Sequence, residues 1–385
     1  MESKETLQMY VSDPVENKET IGSHTSYTLQ GARVPEPLQR RYRDFDALRR
    51  KLQERWPGIF IPNIPHKKTI GNKDKEIVDM RIEMINRFCQ KISKIGYLFN
   101  SDEMELFLQN SNDVPKTLSG IKAQSYEELL KKYNNVFSDY DDNFDTNAGK
   151  VDQDKFLEQL NQNYPRLRSF RASILAMKER YKDIKENYMV IINMLSLYEK
   201  EAVNNYVNLD ENKLVFFNMK NLELNQNISK CQEDLINPYD RLYDSLTEDY
   251  LDTEAMQEAF ESLNHLRDTY DKLTKSLTAT NTQLIEMQTG KTNIKSILSF
   301  KSRDEDISKL MQDKVKLEED INCLGKIIKI VTFVMQKEIK NFKGVSLDNY
   351  YVELNNLEAD TERSAQILDT LWESVVKDKN ISEYN

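Results

Sequence analysis

Glycine and proline are scarce in this chain: 10 Gly and 9 Pro occur in 385 residues. So few breakers exclude a loop-rich or multi-turn β architecture and leave room for long uninterrupted helices, rich as the chain is in Lys, Glu, Leu, Asn and Gln. Cysteine is rarer still. Cys89, Cys231 and Cys323 are odd in number and far apart, a pattern that fits a reducing cytosol better than a disulfide framework. No apolar run approaches the roughly 20 residues needed to span a bilayer. Met1 to Glu5 has neither a basic n-region nor an apolar h-region, so no signal peptide is expected and any membrane contact is expected to be peripheral. Positive charge is also in deficit. The formal net charge of -10 argues against nucleic acid as the main partner.

That deficit is uneven. Residues 1–114 hold 18 Lys+Arg against 17 Asp+Glu, whereas the remainder holds 36 against 47. An acidic body still binds an anionic surface if its cations gather at one face or tip.

The N-terminal part mixes elements. Leu7 to Val11, Ser26 to Gln30 and Leu38 to Tyr42 read as short strands. From Asp44 the period becomes helical (Phe45, Leu48, Leu52, Trp56) and closes at Pro57-Gly58. Pro62 and Pro65 favour an extended segment. A second helix is expected over Glu76 to Ile95, ended by Gly96, and a short one around Glu103 to Leu108. Asn112 to Gly120 reads as a linker. Tyr126, Leu129, Leu130, Tyr133, Phe137 and Tyr140 then form the apolar side of an amphipathic helix. It suits a membrane interface or docking on the next domain, and its moment alone does not separate the two.

Beyond Pro165 apolar residues recur in alternating steps of three and four, as in Phe170, Ile174, Met177, Tyr181, Ile184, Tyr188 and Ile191. Two further runs start near Met256 and Ile307. Sustained 3.5-residue spacing calls for helices that coil around one another. Three long helices are expected, broken near 205–212 and 289–302, with a kink at Pro238. Aromatic-rich stripes in so slender a body imply a dimer. Polar seam positions such as Lys314 and Glu338 are candidates for partner choice.

The chemistry concentrates in Arg40-Arg41-Tyr42-Arg43-Asp44-Phe45 and Pro62-Asn63-Ile64-Pro65-His66-Lys67-Lys68. Arginine presents a fork that matches phosphate oxygens, lysine a flexible point charge, and tyrosine a ring face for stacking. Other constellations fail on chemistry. Gly290-Lys291-Thr292 imitates the end of a Walker A loop, but its first glycine would fall at Ile285. Asp141, Asn143, Asp145, Asn147 and Asp152 imitate a calcium loop, but Thr146 stands where the turn glycine is needed and Asp152 where a bidentate Glu is. His24, His66 and His265 have no Cys or carboxylate at ligand spacing, and no nucleophile–base set is apparent. No catalytic residue, metal or cofactor is expected, and the chain is not expected to be an enzyme.

Read together, Arg40 to Phe45, the Pro62 to Lys67 loop and Arg81 resemble the phox-homology (PX) domain of the sorting nexins. The resemblance implies that Arg41 grips the 3-phosphate of phosphatidylinositol 3-phosphate, Tyr42 supports the inositol ring, Lys67 meets the 1-phosphate and Arg81 bonds the 4- and 5-hydroxyls. Asn63 stands where family members often carry a second proline. Ile59, Phe60 and Ile61 suit either membrane insertion or the small core. The helical remainder resembles the BAR domain of the same proteins. Gly290-Lys291-Thr292-Asn293-Ile294-Lys295-Ser296-Ile297-Leu298 is similar to a hinge of the sorting nexin 4-like group. Arg40, Lys68, Lys291, Lys295, Lys301 and Arg303 are the expected auxiliary membrane contacts.

The expected architecture is an α+β PX domain, a small antiparallel sheet with helices, over 1–112. A linker with an amphipathic helix follows over 113–150, then an elongated all-α three-helix BAR coiled coil over 151–385. The resemblance implies a peripheral protein of early endosome membranes that reads phosphatidylinositol 3-phosphate. It would dimerise with itself or with another sorting nexin, act in tubulation and recycling, and have a link to autophagy. The competing expectation is a cytosolic coiled-coil scaffold whose small domain binds a protein partner.

Overall fold

The computed structural model describes residues 9–18, 23–31, 33–34, 36–65, 75–109, 113–141, 143–199, 201, 222–289 and 303–376. Three antiparallel strands form a meander in the order β1 (Tyr10–Lys18), β2 (Ser23–Gln30), β3 (Leu38–Arg41). In register, Val11 faces Leu29, Tyr27 faces Arg40 and Ser26 faces Arg41. β1 runs further than the expected strand because it carries a bulge. Asp13 sits at φ 45° and the register shifts between Ser12 and Val15, which lets an edge strand pass through Pro14. Asn86 fastens this edge: its Oδ1 accepts from the Val11 N–H at 2.6 Å and its Nδ2 donates to the Val11 carbonyl at 3.1 Å.

Short helices cover the sheet: α1 (Tyr42–Arg55), α2 (Lys75–Lys94), α3 (Gly96–Phe99), α4 (Asp102–Leu108) and α5 (Val114–Ser119). Gly96 opens α3 one residue after α2 is interrupted, where a stop was expected. The expected linker at 112–120 contains α5. Asp113 caps it by accepting from the Lys116 N–H, Pro115 occupies its first turn, and Val114 and Leu118 are buried. Six residues are too few to show a helical period, so their polar composition reads as loop.

Next comes α6 (Tyr126–Val136), closed at its start by a reciprocal pair between Ser125 and Glu128. Its apolar side is docked. Leu129, Tyr133 and Phe137 are buried, Tyr133 stacks on Trp56 at 6.0 Å, and the Tyr133 hydroxyl donates to the Pro57 carbonyl at 2.8 Å. Of the two readings of its amphipathic pattern, the structure takes docking. Ile59 and Ile61 are likewise core residues, 3 % and 2 % exposed.

The long helices are α7 (Thr146–Tyr198), α8 (Leu222–Asp234), α9 (Tyr239–Thr289) and α10 (Arg303–Val376). Pro165 is accommodated inside α7, so this helix begins nearly twenty residues before the coiled pattern does. Pro238 separates α8 from α9 outright, in place of the expected kink, and the Asn237 side chain accepts from the Tyr239 N–H at the restart. The break expected near 205–212 and most of that at 289–302 lie outside the described residues.

By contact the chain forms two compact units, residues 1–161 with 251–342, and residues 162–250 with 343–385. α7, α9 and α10 contribute to both. In the first unit the small sheet-and-helix region shares a core with the long helices: Phe45, Leu48 and Phe107 belong to the same cluster as Leu263, Ile327 and Val331. Gly58 marks the closest approach. It adopts φ +78°, and a Cβ there would meet Val331 Cγ1 at 2.5 Å. In the second unit Ile192, Leu224, Cys231, Leu235, Leu371 and Val375 make the core. Tyr164 and Tyr250 stack at 4.9 Å, and Lys178 pairs with Asp240 at 3.0 Å. Half of the α7 seam points outward: Phe170, Met177, Ile184, Ile191 and Tyr198, seven residues apart, are 38–65 % exposed. Ile174, between the first two, is buried.

Candidate functional site

The junction of β3 and α1 positions the first group of expected residues. Arg41 ends the strand and precedes the helix with an extended backbone, φ -93° and ψ 160°. Its N–H donates to Asp44 Oδ2 at 2.8 Å, which closes the first helical turn on a buried carboxylate and fixes the direction in which Arg41 leaves the chain. Tyr42 follows as the first helical residue. Its hydroxyl donates to the Pro65 carbonyl, tying the helix start to the end of the proline segment. Burial, with a contribution from Asp46, raises the Tyr42 hydroxyl to about 12, so it stays a protonated donor.

Arg81 reaches the same place from α2. Its Nη1 donates to the Tyr27 hydroxyl at 3.1 Å. Tyr27 is fully buried in β2, across from Arg40 in the register. Burial raises the Tyr27 hydroxyl although Arg81 works in the opposite direction, and the Arg81 charge is felt at Tyr42. Arg81 and Tyr42, about forty residues apart in sequence, thus lie near one another, Tyr42 against the Pro62–Pro65 segment, and Arg41 immediately precedes Tyr42 in the chain. Such a group offers several charge-assisted donors and a ring face to a small polyanion.

Arg40 departs from the expected auxiliary membrane contact. It is 2 % exposed, and its guanidinium donates to the Phe107 carbonyl at 2.8 and 3.1 Å, to the Gln109 carbonyl at 2.5 Å and to the Gln39 carbonyl at 2.8 Å. Its carbon also lies 5.4 Å from the Phe107 ring centre. Strand alternation explains the reversal: Arg40 and Arg41 point to opposite faces of β3, and one of the two must turn inward. Lys67, Lys68, Lys291, Lys295 and Lys301 lie outside the described residues, as does the side chain of Arg303.

Sequence reasoning missed the residues that hold the proline segment from behind. Arg49 of α1 is buried; its Nε donates to the Pro62 carbonyl at 2.9 Å and its Nη2 to Glu258 of α9. Gln53 also donates to Glu258, at 2.8 Å, and Asn63 Nδ2 donates to Glu254 at 3.2 Å. No local pattern joins residues two hundred positions apart.

The acidic loop-like run is structural. Asp141 and Asp145 accept from backbone N–H groups two residues on, at 2.9 and 3.0 Å, and Asp145 starts α7. Among the described residues no cluster of His, Cys, Asp and Glu is arranged to hold a metal ion. No helix among them is long and apolar enough to cross a membrane.

Residues 34–111 match the PX domain family model. Sorting nexin-11 of Bos taurus is 26 % identical over 132 residues, which is 32 % of this chain and 49 % of that protein. The vacuolar protein sorting-associated protein vps5 of Schizosaccharomyces pombe is 33 % identical over 115 residues, 28 % of this chain and 20 % of the relative. The chain thus spans about half the length of the first relative and a fifth of the second. A solved structure described as the cryo-EM structure of the SNX-BAR Mvp1 tetramer covers 96 % of this chain and 99 % of its own, with a TM-score of 0.56 at 16 % identity. Fold and site thus define a PX domain carried on the long helices of the SNX-BAR fold. Residues 34–111 are similar to PX domains, and the chain shares its overall fold with a SNX-BAR protein.

Proposed function

We propose that this protein is a non-enzymatic, peripheral membrane protein of endosomal sorting. It reads phosphatidylinositol 3-phosphate with Arg41, Tyr42, Lys67 and Arg81 and lays a BAR dimer on the bilayer. The observation that carries the reading is the nearness of Arg81 to Tyr42, whose hydroxyl is held on the Pro65 carbonyl, with Arg41 next in the chain at the capped start of α1. Arg41 supplies the fork for the 3-phosphate and Tyr42 the ring beneath the inositol. Lys67 is assigned the 1-phosphate and Arg81 the neighbouring hydroxyls.

The open heptad stripe from Phe170 to Tyr198 supports dimerisation, because apolar side chains at seven-residue spacing favour a partner helix over water. The partner is a second copy or another sorting nexin. Lys291, Lys295, Lys301 and Arg303 add cations, each contributing about 1 kcal/mol near an anionic surface, and Lys68 is assigned a similar role. Weak headgroup contacts then multiply through effective concentration, which favours curved, phosphoinositide-bearing membranes such as early endosomal tubules. Recycling of cargo, and an autophagy role suggested by the sorting nexin 4-like hinge, belong to the same reading.

The test is co-sedimentation of the purified chain with liposomes with and without phosphatidylinositol 3-phosphate, beside Arg41→Ala, with imaging of the vesicles. Selective binding lost in Arg41→Ala, together with tubules, is the expected result. A chain that stays in the supernatant with both liposomes sinks the reading in favour of a coiled-coil scaffold.

A further inference from the structure

We propose that Glu254 and Glu258 of α9 are positioning residues for phosphoinositide recognition, holding the Pro62–Pro65 segment in its binding geometry through Asn63 and Arg49. The proposal rests on the phosphoinositide reading above and names a control that the small domain does not contain by itself.

Arg49 lies on α1, two turns after Tyr42, and is buried beneath the segment. One edge of its guanidinium donates to the Pro62 carbonyl at 2.9 Å and the other reaches Glu258. Proline has no N–H, so the segment cannot be pinned as a strand ladder would pin it. Its carbonyls and the Asn63 amide serve as the available handles. Asn63 is 8 % exposed; its Oδ1 accepts from the Ile64 N–H at 2.9 Å and its Nδ2 donates to Glu254 at 3.2 Å. At the far end the Pro65 carbonyl receives the Tyr42 hydroxyl. The segment is therefore held at both ends. One anchor belongs to the lipid site, the other to carboxylates about 190 residues on.

Charge explains why a carboxylate is required at position 258. Arg49 is largely withdrawn from water, and a buried guanidinium needs a counter-ion. Glu258, 38 % exposed on its side chain, supplies that charge and also receives Gln53 at 2.8 Å. Without it Arg49 is drawn toward solvent or another carboxylate, and the Pro62 carbonyl loses its donor. The Pro65 carbonyl receives the Tyr42 hydroxyl, so a displaced segment displaces the ring assigned to the inositol. Such a displacement lowers affinity without removing any group that touches lipid.

The full-length chain is titrated with a soluble short-chain phosphatidylinositol 3-phosphate, which removes membrane avidity and curvature. Wild type is compared with Glu258→Gln, Glu254→Gln/Glu258→Lys and Arg41→Ala. Asp252→Asn serves as a docking control, because Asp252 pairs with Lys91 at 2.6 Å, ten residues and about 15 Å along α2 from Arg81. Circular dichroism melts accompany each variant. Glu258→Gln keeps an acceptor but loses the charge and weakens binding modestly. Glu254→Gln/Glu258→Lys weakens it about 5-fold or more, the scale of site-to-site coupling. Asp252→Asn leaves affinity unchanged. Wild-type affinity in Glu254→Gln/Glu258→Lys, while Arg41→Ala abolishes binding, overturns this proposal and leaves the lipid reading intact. Equal losses in Asp252→Asn and Glu254→Gln/Glu258→Lys also overturn it, since the effect is then general docking. No binding by the wild type overturns both.

Discussion

The ammonium nitrogen of Lys132 stands 3.9 Å from the centre of the Trp56 ring. The same nitrogen donates to the Arg55 carbonyl and to Gln124 Oε1, the latter at 2.9 Å, so α6 is bound to the end of α1 by a cation held over an indole. Burial pushes this ammonium down to about 8; the Glu103 carboxylate opposes that, the Arg55 guanidinium adds to it, and Asp102 opposes it again. In the unfolded chain the group returns to about 10.4. Between those values the unfolded chain binds more protons than the folded one, and stability rises with pH. Below pH 8 both states are charged and the slope vanishes. The thermal midpoint of wild type should therefore gain on that of Lys132→Met as pH is raised from about 8 to about 10. A constant difference across that range would contradict the burial of Lys132.

Arg40 and Arg41 are adjacent in sequence and opposite in role. Arg40→Met keeps the hydrophobic stem and removes the fork, leaving the Phe107 and Gln109 carbonyls without this donor. A loss of about 1–3 kcal/mol in folding free energy is expected, with lipid affinity of the folded protein unchanged. Chemical denaturation and short-chain lipid titration separate the two. Equal stability in Arg40→Met would show that its buried hydrogen bonds contribute nothing net.

At Gly58 the substitution to alanine meets two obstacles, a positive φ and the side chain of Val331. The backbone strain alone costs about 1–3 kcal/mol, and Val331 must shift as well. Because the Gly58 N–H also donates to Ser262 Oγ at 2.9 Å, the damage falls where the small region meets α9 and α10. Hydrogen exchange of Gly58→Ala should rise first in 57–59 and in the facing turns of those helices. Unchanged protection there would refute the close approach.

The outward half of the α7 seam gives a prediction on assembly. Ile184→Glu/Ile191→Glu places two charges on the exposed stripe, away from the Ile192 and Leu224 core. Sedimentation should show a dimer for wild type and a monomer for this variant, with the helical signal retained. A dimer that survives both charges would place the interface elsewhere.

Much of the fold was legible because its signals are local. The 3.5-residue spacing announced α7, α9 and α10, and the Arg-Tyr-x-Asp-Phe run marked the turn from β3 into α1. Where the expectation slipped, a long-range or compensated feature was at work. Pro14 sits in a strand because a bulge frees it from the ladder, and Pro165 sits in a helix. α5 read as linker because one helical turn is too short to show a period. The amphipathic pattern of α6 was visible, but its partner, the Trp56 and Tyr97 surface, was not.

Most element types and the candidate phosphate ligands were legible in the sequence, since both depend on side-chain chemistry and on spacing within a few turns. Which arginine faces outward, and what secures the proline segment, were decided only in three dimensions. Pleating sends Arg40 to the carbonyls of α4 and Arg41 to the other side, and folding brings Glu254 and Glu258 to the back of the Pro62–Pro65 segment. Those contacts join residues up to two hundred positions apart, and no local period encodes a meeting of that kind.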